Sequence, residues 1–330
     1  MNLIAKGKAL WGGAKNNTQL QNEKNRIIRS TKSFLMSAFR LVLIVGISYV
    51  IISPLLGIVV SSFFSNEDQY SPLVYMIPQT PTLERYQLAL TRLDYFTVMG
   101  NNLLYVLSLS VIQLVICAMV GYGFARFKFP LKRILFGCVI VMIIMPSHTI
   151  MYPLYTTFQK FDPLWLVSAF TGKAQNLLST PVPMFLMTIL GTGLRAGLYI
   201  YIFNQFFRGL PKEIEEASFV DGAGTFYTFV RVMIPNAVPS IITVTLFSMV
   251  WQYNDLSYAN LFNVSNDIVM SKRLNTLQST IANVDRIVDP NIQQLYVFAG
   301  IVMMILPMII IYVFLQRRFI EGVERSGIVG

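Results

Sequence analysis

The chain is short of charge: Asp, Glu, Lys and Arg make up only 13% of its 330 residues, about half the share in soluble domains. It has one histidine, His148, and two cysteines, Cys117 and Cys138, which stand apart inside apolar runs. That inventory excludes a disulfide framework and a Cys/His metal centre. Both cysteines read as small buried apolar residues, and His148 as a polar residue at a membrane interface. No G-x-x-x-x-G-K-[ST] run occurs. GTGLRAG (191–197) has the glycines but not the Lys-Ser/Thr end, so the chain carries no phosphate loop and no ATPase of its own. The net charge of +10 is not arranged as a basic, aromatic-interleaved stripe on a soluble domain, so nucleic acid is not an expected partner. Low-complexity segments and internal repeats are also lacking.

What is there is apolar: 54% hydrophobic residues and a mean hydropathy of +0.57. A helix needs about 20 apolar residues to cross the hydrocarbon core. Six runs qualify, at 41–64, 102–124, 134–153, 184–207, 237–259 and 295–315. The fold class expected is all-α, a polytopic membrane protein with six transmembrane helices in contact with lipid. The first run lacks a small-residue cleavage site and reads as a retained span. Residues 1–40 read as a basic cytoplasmic segment, 41–315 as the six-helix membrane domain and 316–330 as a cytoplasmic tail. Basic residues crowd the first segment, the loop after the second run (Arg126, Lys128, Lys132, Arg133), the loop at 208–235 (Arg208, Lys212, Arg231) and the tail (Arg317, Arg318, Arg325). The alternate loops are poorer in them, which places both termini and the 208–235 loop in the cytoplasm.

That loop contains GLPKEIEEASFVDGAG (209–224). Pro211 suits a first helical turn. Glu213, Glu215 and Glu216 suit the positive end of a helix dipole, and Gly222 and Gly224 offer a stop. The pattern predicts a helix of about ten residues. Ile214, Ala217, Ser218 and Asp221, spaced i, i+3, i+4, i+7, share one small and weakly apolar face.

These residues resemble the cytoplasmic loop of permeases of binding-protein-dependent ABC importers: EAA, three residues, Gly, nine residues, then Ile-x-Leu-Pro. Here Glu216-Ala217-Ser218 is followed by three residues, Gly222, nine residues and Val232-Met233-Ile234-Pro235. Ser218, Val232 and Ile234 depart conservatively from the pattern. The lead-in FFRGLPKE and the close LQRRFIEGVERSGIVG resemble the carbohydrate-class, MalG-like branch. The resemblance implies a type I ABC importer permease (MetI-like) fold in the bacterial plasma (inner) membrane. It implies a partner set of a second permease subunit in a heterodimer, two cytoplasmic ABC ATPase subunits that bind ATP-Mg, and an extracellular solute-binding protein. The chain itself would hold no cofactor and be no enzyme. Glu215, Glu216, Ala217, Ser218, Asp221, Gly222 and Pro235 become the ATPase-coupling set, with Glu216 pairing a basic group on the ATPase. A carbohydrate, in the first instance an oligosaccharide, is the substrate implied, with a non-sugar solute the alternative.

Candidate pathway residues come from the spans. Arg195 falls within the 184–207 run, where a mid-bilayer charge costs about 2.5–3.5 kcal/mol. It either lines the pathway or sits at an interface and snorkels. Trp251, Tyr253 and Asn254 lie in a run of aromatic and amide side chains suited to the apolar faces and hydroxyl fringe of a sugar; an ordinary interfacial belt reads the same way. A secondary transporter would call for intramembrane carboxylates, and a membrane enzyme for a His/Asp/Glu cluster. The six runs hold almost no acidic residue and the one His stands among scattered acids, so an enzyme is argued against and a secondary transporter is kept as the less favoured alternative.

Overall fold

In the computed structural model, the structure describes the backbone of residues 3–327 and the side chains of residues 32–314 and 316. The basic residues expected to orient the two ends, from Lys6 to Arg29 and from Arg317 to Arg325, have side chains outside the described residues. The all-α expectation holds: apart from one isolated bridge, Phe161 with Gln175, the described residues form helices, turns and loops.

The chain divides into two units, at Met1–Val60 and Ser61–Gly330. The first is essentially one helix, α1 (Leu3–Ser61). The boundary expected at residue 40 is no break in it. Its Lys32–Ser61 part is long and apolar enough to cross a membrane.

The second unit contains α2 (Glu84–Leu93), α3 (Tyr95–Arg126), α4 (Lys132–Ile144), α5 (Ser147–Gln159), α6 (Val182–Ile189), α7 (Ala196–Gly209), α8 (Glu213–Val220), α9 (Val238–Tyr253), α10 (Leu277–Val284) and α11 (Pro290–Gly327). Of these, α3 and the Pro290–Phe314 part of α11 are single helices of spanning length. The run at 134–153 is sharply bent instead: α4 and α5 meet at 105°, with Pro146 at the break, where the missing N–H cannot continue the ladder. The run at 237–259 is also part of a bent pair, because Thr225–Asn236 meets α9 at 80°.

The run at 184–207 is not one helix, which corrects the expectation of six continuous spans. It breaks between α6 and α7. Gly191 (φ +73°) and Arg195 (φ +59°) both turn left-handed there, a conformation that Gly takes without steric cost. By length and composition there are three spanning helices among the described residues, or up to five if each bent pair is one span.

The core is built around α3, which packs along α7 and also touches α6 and α9. Where α3 crosses α7, Gly121 lets the backbones close up. A Cβ there would lie 2.6 Å from Phe203 Cβ and 3.0 Å from both Asn204 N and Ile200 O. Small residues at helix crossings are the usual means of close packing in membranes. Helix α11 packs on α9, α2 and α10. At that end Arg85 is fully buried: its guanidinium donates to Phe64 O (3.3 Å), Asn66 Oδ1 (2.5 Å) and Tyr296 Oη (2.5 Å).

The two cysteines separate. Cys117 is buried as expected, but Cys138 on α4 is exposed. His148 is exposed in the first turn of α5. No cluster of metal-ligating residues occurs among the described residues.

Candidate functional site

The loop after α7 folds as its local chemistry dictates. Leu210 is extended, α8 begins at Glu213, and three glutamates fill its first turn. The helix stops at Gly222 (φ +82°). There the N–H groups of Gly222 and Ala223 reach back to Phe219 O (3.0 Å) and Ser218 O (3.1 Å), a left-handed C-terminal stop. The helix is eight residues long, slightly shorter than expected. The predicted common face is present: Ile214, Ala217, Ser218 and Asp221 line a shallow groove with Tyr227 and Val232. Ser218, the departure from the second Ala, has a partner of its own, since its Oγ lies 2.9 Å from Oγ1 of the fully buried Thr228. Pro235 is exposed just before the 80° bend into α9.

Glu215 and Glu216 part company. Glu216 is exposed, as are Ala217, Asp221 and Gly222. Glu215 is buried, and both its oxygens are engaged by the last turn of α3: Tyr122 Oη donates to Oε1 (2.6 Å), and Arg126 Nε sits 2.7 Å from Oε2. Arg126 also donates to Leu210 O (2.8 Å). Glu215 therefore leaves the outward-facing coupling set, for a physical reason: its carboxylate is consumed within the chain. The Tyr122 ring sits in an aromatic cluster with Phe127, Phe207 and Phe229, at centroid distances of 5.3, 5.4 and 5.0 Å. Tyr122 and Arg126 were missed by sequence reasoning. Their i, i+4 spacing at a span's end was the available signal.

The candidate pathway residues also divide. The Arg195 guanidinium stacks over the Trp251 ring, 4.3 Å from its centroid, and both side chains are exposed. Asn254 is exposed too, although its amide donates to Val250 O (2.9 Å). Tyr253 is not available to a solute: it is 1% exposed, and its hydroxyl donates to Met304 O (2.6 Å). Beside Arg195 lies a buried polar network that the sequence reading did not assemble. Gln113 on α3 donates to Leu194 O in the break (2.7 Å), and its Oε1 accepts from Ser248 Oγ (2.9 Å) and Gln252 Nε2 (3.0 Å) on α9. The break is thereby held to both α3 and α9.

Residues 113–325 match the family model described as "Binding-protein-dependent transport system inner membrane component". The chain is 27% identical over 288 residues to the arabinooligosaccharides transport system permease protein AraQ of Halalkalibacterium halodurans, covering 86% of this chain and 93% of that one. It is 26% identical to the diacetylchitobiose uptake system permease protein NgcG of Streptomyces coelicolor, over 84% of each. A solved bacterial ABC transporter involved in import of the acidic polysaccharide alginate superposes with TM-score 0.67. The identity there is 21%, covering 86% of this chain and 96% of that one, a likeness of fold.

Proposed function

Because the chain belongs to the family of binding-protein-dependent transport system inner membrane components, we propose that it forms half of the pathway by which an ATP-driven importer takes up a carbohydrate. As a permease subunit it is a non-catalytic, multi-pass inner-membrane component that works in a complex with an ATPase and a binding protein. The second half would be a similar permease, and two ATPase subunits would dock on the 208–235 loop. That loop and both termini would face the cytoplasm. An oligosaccharide is the solute favoured by the sugar-transport names of the relatives.

One observation carries the docking assignment: α8 turns Glu216, Ala217 and Asp221 outward beside an open groove while Glu215 ties the helix to α3. A helix anchored on one side and bare on the other is suited to pass on the movement of a separate body. Gly222 supplies the left-handed stop that keeps α8 short. The solute would meet the exposed Arg195–Trp251 pair. One face of the indole is stacked with a cation, and an exposed aromatic ring suits the apolar face of a sugar. Counting back along α7 from Gly209, this pair lies about 20 Å from the docking loop, within a hydrocarbon core about 30 Å thick.

The test is ATP hydrolysis by the complex, purified from cells co-expressing this chain with a second permease, an ATPase and a binding protein, across a panel of sugars. The expected result is stimulation by one sugar-loaded binding protein, abolished by Glu216→Lys. Failure of any ATPase to co-purify with the wild type would refute the docking assignment. Stimulation only by a non-sugar solute would refute the carbohydrate assignment and leave the rest standing.

A further inference from the structure

The geometry points to Tyr122 and Arg126 as positioning residues that make α8 and α3 one moving body. On this inference, the clamp on the Glu215 carboxylate is the joint through which motion of the docking helix enters the membrane. It rests on the docking role proposed for α8 and adds which span that motion enters first.

Three contacts cross between α3 and the start of the loop. Tyr122 donates to one Glu215 oxygen at 2.6 Å, Arg126 pairs with the other at 2.7 Å, and Arg126 donates to Leu210 O at 2.8 Å. The Arg126 and Glu215 side chains are each 8% exposed. In so dry a setting an ion pair is screened little, and loss of one partner strands a buried charge. The contacts hold both the chain entering α8 (Leu210) and its first turn (Glu215). A helix fixed at two points cannot swing about its N-terminal end without carrying α3 with it. Its C-terminal half packs on the segment that follows it and makes the Ser218–Thr228 hydroxyl contact, but among the described residues no ion pair holds it there before it ends at Gly222 on an open groove. The following segment, Thr225–Asn236, contains a π-helical turn at Phe229–Met233 and then the 80° bend into α9. A π turn and a bend are places where a chain can yield. The rigid connection of α8 is therefore to α3, and the compliant one is to α9.

The experiment uses the full complex carrying two nitroxide labels on this chain, with Cys138→Ser to remove the exposed thiol. One label replaces the exposed Val220 at the end of α8. The other replaces Gly100 on α3, where an added side chain meets nothing within 4 Å. Distances are measured nucleotide-free and after trapping with Mg-ATP and vanadate. In the wild type the α8–α3 distance is expected to stay fixed on trapping. In Arg126→Gln and in Tyr122→Phe it is expected to shift or broaden on trapping by more than about 2 Å, the scale of helix shifts at interfaces. ATPase co-purification is expected to remain within about twofold of the wild type, since the outward face of α8 is untouched. Arg126→Lys, which keeps the charge, restores the fixed distance at least in part. Tyr122→Phe removes one oxygen and leaves the aromatic cluster in place, so it decides the matter if Arg126→Gln does not assemble. A wild-type distance that itself changes on trapping, or a Tyr122→Phe complex that behaves as the wild type, overturns the inference. Absence of any co-purifying ATPase is a different failure and refutes the docking assignment.

Discussion

Gly121→Ala tests the α3–α7 crossing, and the sign of its effect is informative. On helix propensity alone, replacing a mid-helix Gly by Ala stabilises by about 1 kcal/mol. Here the added Cβ would fall 2.6 Å from Phe203 Cβ and 3.0 Å from two backbone atoms of α7. Normal carbon contacts are about 3.5–4.0 Å, so the helices must separate by roughly 0.5–1 Å. Two of the three obstacles are backbone and cannot rotate away. Such a gap forfeits a quarter to a half of the dispersion attraction between the parted surfaces. Overpacking typically costs about 1–3 kcal/mol. With the upper half of that range set against the propensity gain, the net loss is about 1–2 kcal/mol. Domains of about 150–250 residues lose about 2–4 °C in Tm per kcal/mol, so on that scale Gly121→Ala is expected to melt about 2–8 °C below the wild type. The assay is thermal unfolding of the detergent-purified protein, followed by monodisperse recovery on size exclusion. Gly100→Ala and Gly137→Ala, where a Cβ meets nothing within 4 Å, are the controls and should melt at or slightly above the wild type. A Gly121→Ala protein that melts with these controls would refute the close crossing.

Gln113→Leu strands Leu194 O and removes the acceptor for Ser248 and Gln252. At about 0.6–1.7 kcal/mol per intramembrane hydrogen bond, it should lower stability by about 2–3 kcal/mol in the same melting assay, and Gln113→Glu should not rescue it. Trp251→Ala is expected to reduce solute uptake about tenfold, equivalent to about 1.4 kcal/mol, with ATPase content unchanged on co-purification. Tyr253→Phe, which loses the Met304 contact, should lower the melting temperature and leave uptake per folded complex unaltered. Asp68 supplies a pH test. Burial pushes its carboxyl up, but donors from the backbone of Thr80, Gln79 and Ser65 and from the Thr80 hydroxyl outweigh this and hold it below the usual carboxylate value. A depressed folded pKa stabilises above the unfolded value, near 3.9, and that stabilisation is lost as pH falls through the folded one. The gap in Tm between wild type and Asp68→Asn should be constant from about pH 7 to 5 and close below about pH 4.

The parts of the fold that were legible are those decided locally. The spanning length of α3 and of the Pro290–Phe314 part of α11, the acidic first turn of α8 and the glycine stop depend on residues near one another in the chain, and these appear where the sequence puts them. The Glu215/Glu216 division depends on Tyr122 and Arg126, some ninety residues earlier; their i, i+4 spacing marks them as a pair but not which glutamate they meet. The break in the 184–207 run was hidden by averaging, because apolar residues on both sides of Gly191-Thr192-Gly193 keep a hydropathy window high across a turn. The grouping of Trp251 with Tyr253 failed on geometry that was available. At 100° per residue, positions 251 and 253 lie about 200° apart on a helix, so one faces out when the other faces the core.

Helix α3 is apolar along most of its length, yet it makes polar contacts with the rest of the second unit at several levels, from Tyr95, Asn101 and Asn102 near its start to Arg126 at its end, and two of these levels bear on the loop and on the break. Near its end Tyr122 and Arg126 hold α8, and partway along it Gln113 holds the break before α7 and the polar face of α9. From Gln113 to Arg126 is about 20 Å along the axis. Polar groups in a membrane interior are costly unless paired, so both contacts are strongly specified in partner and geometry. Between them α3 and α7 meet mainly through apolar packing, with one amide contact from Asn204 to Gly121 O (3.4 Å). One helix therefore fixes the 208–235 loop at one level and the Arg195–Trp251 pair, through Leu194 and Gln252, at the other. Any motion that keeps both sets of hydrogen bonds must carry α8, α3 and the 190–195 break together. The freedom left to the second unit lies in the bent segments: the π turn before α9 and the 105° junction of α4 with α5.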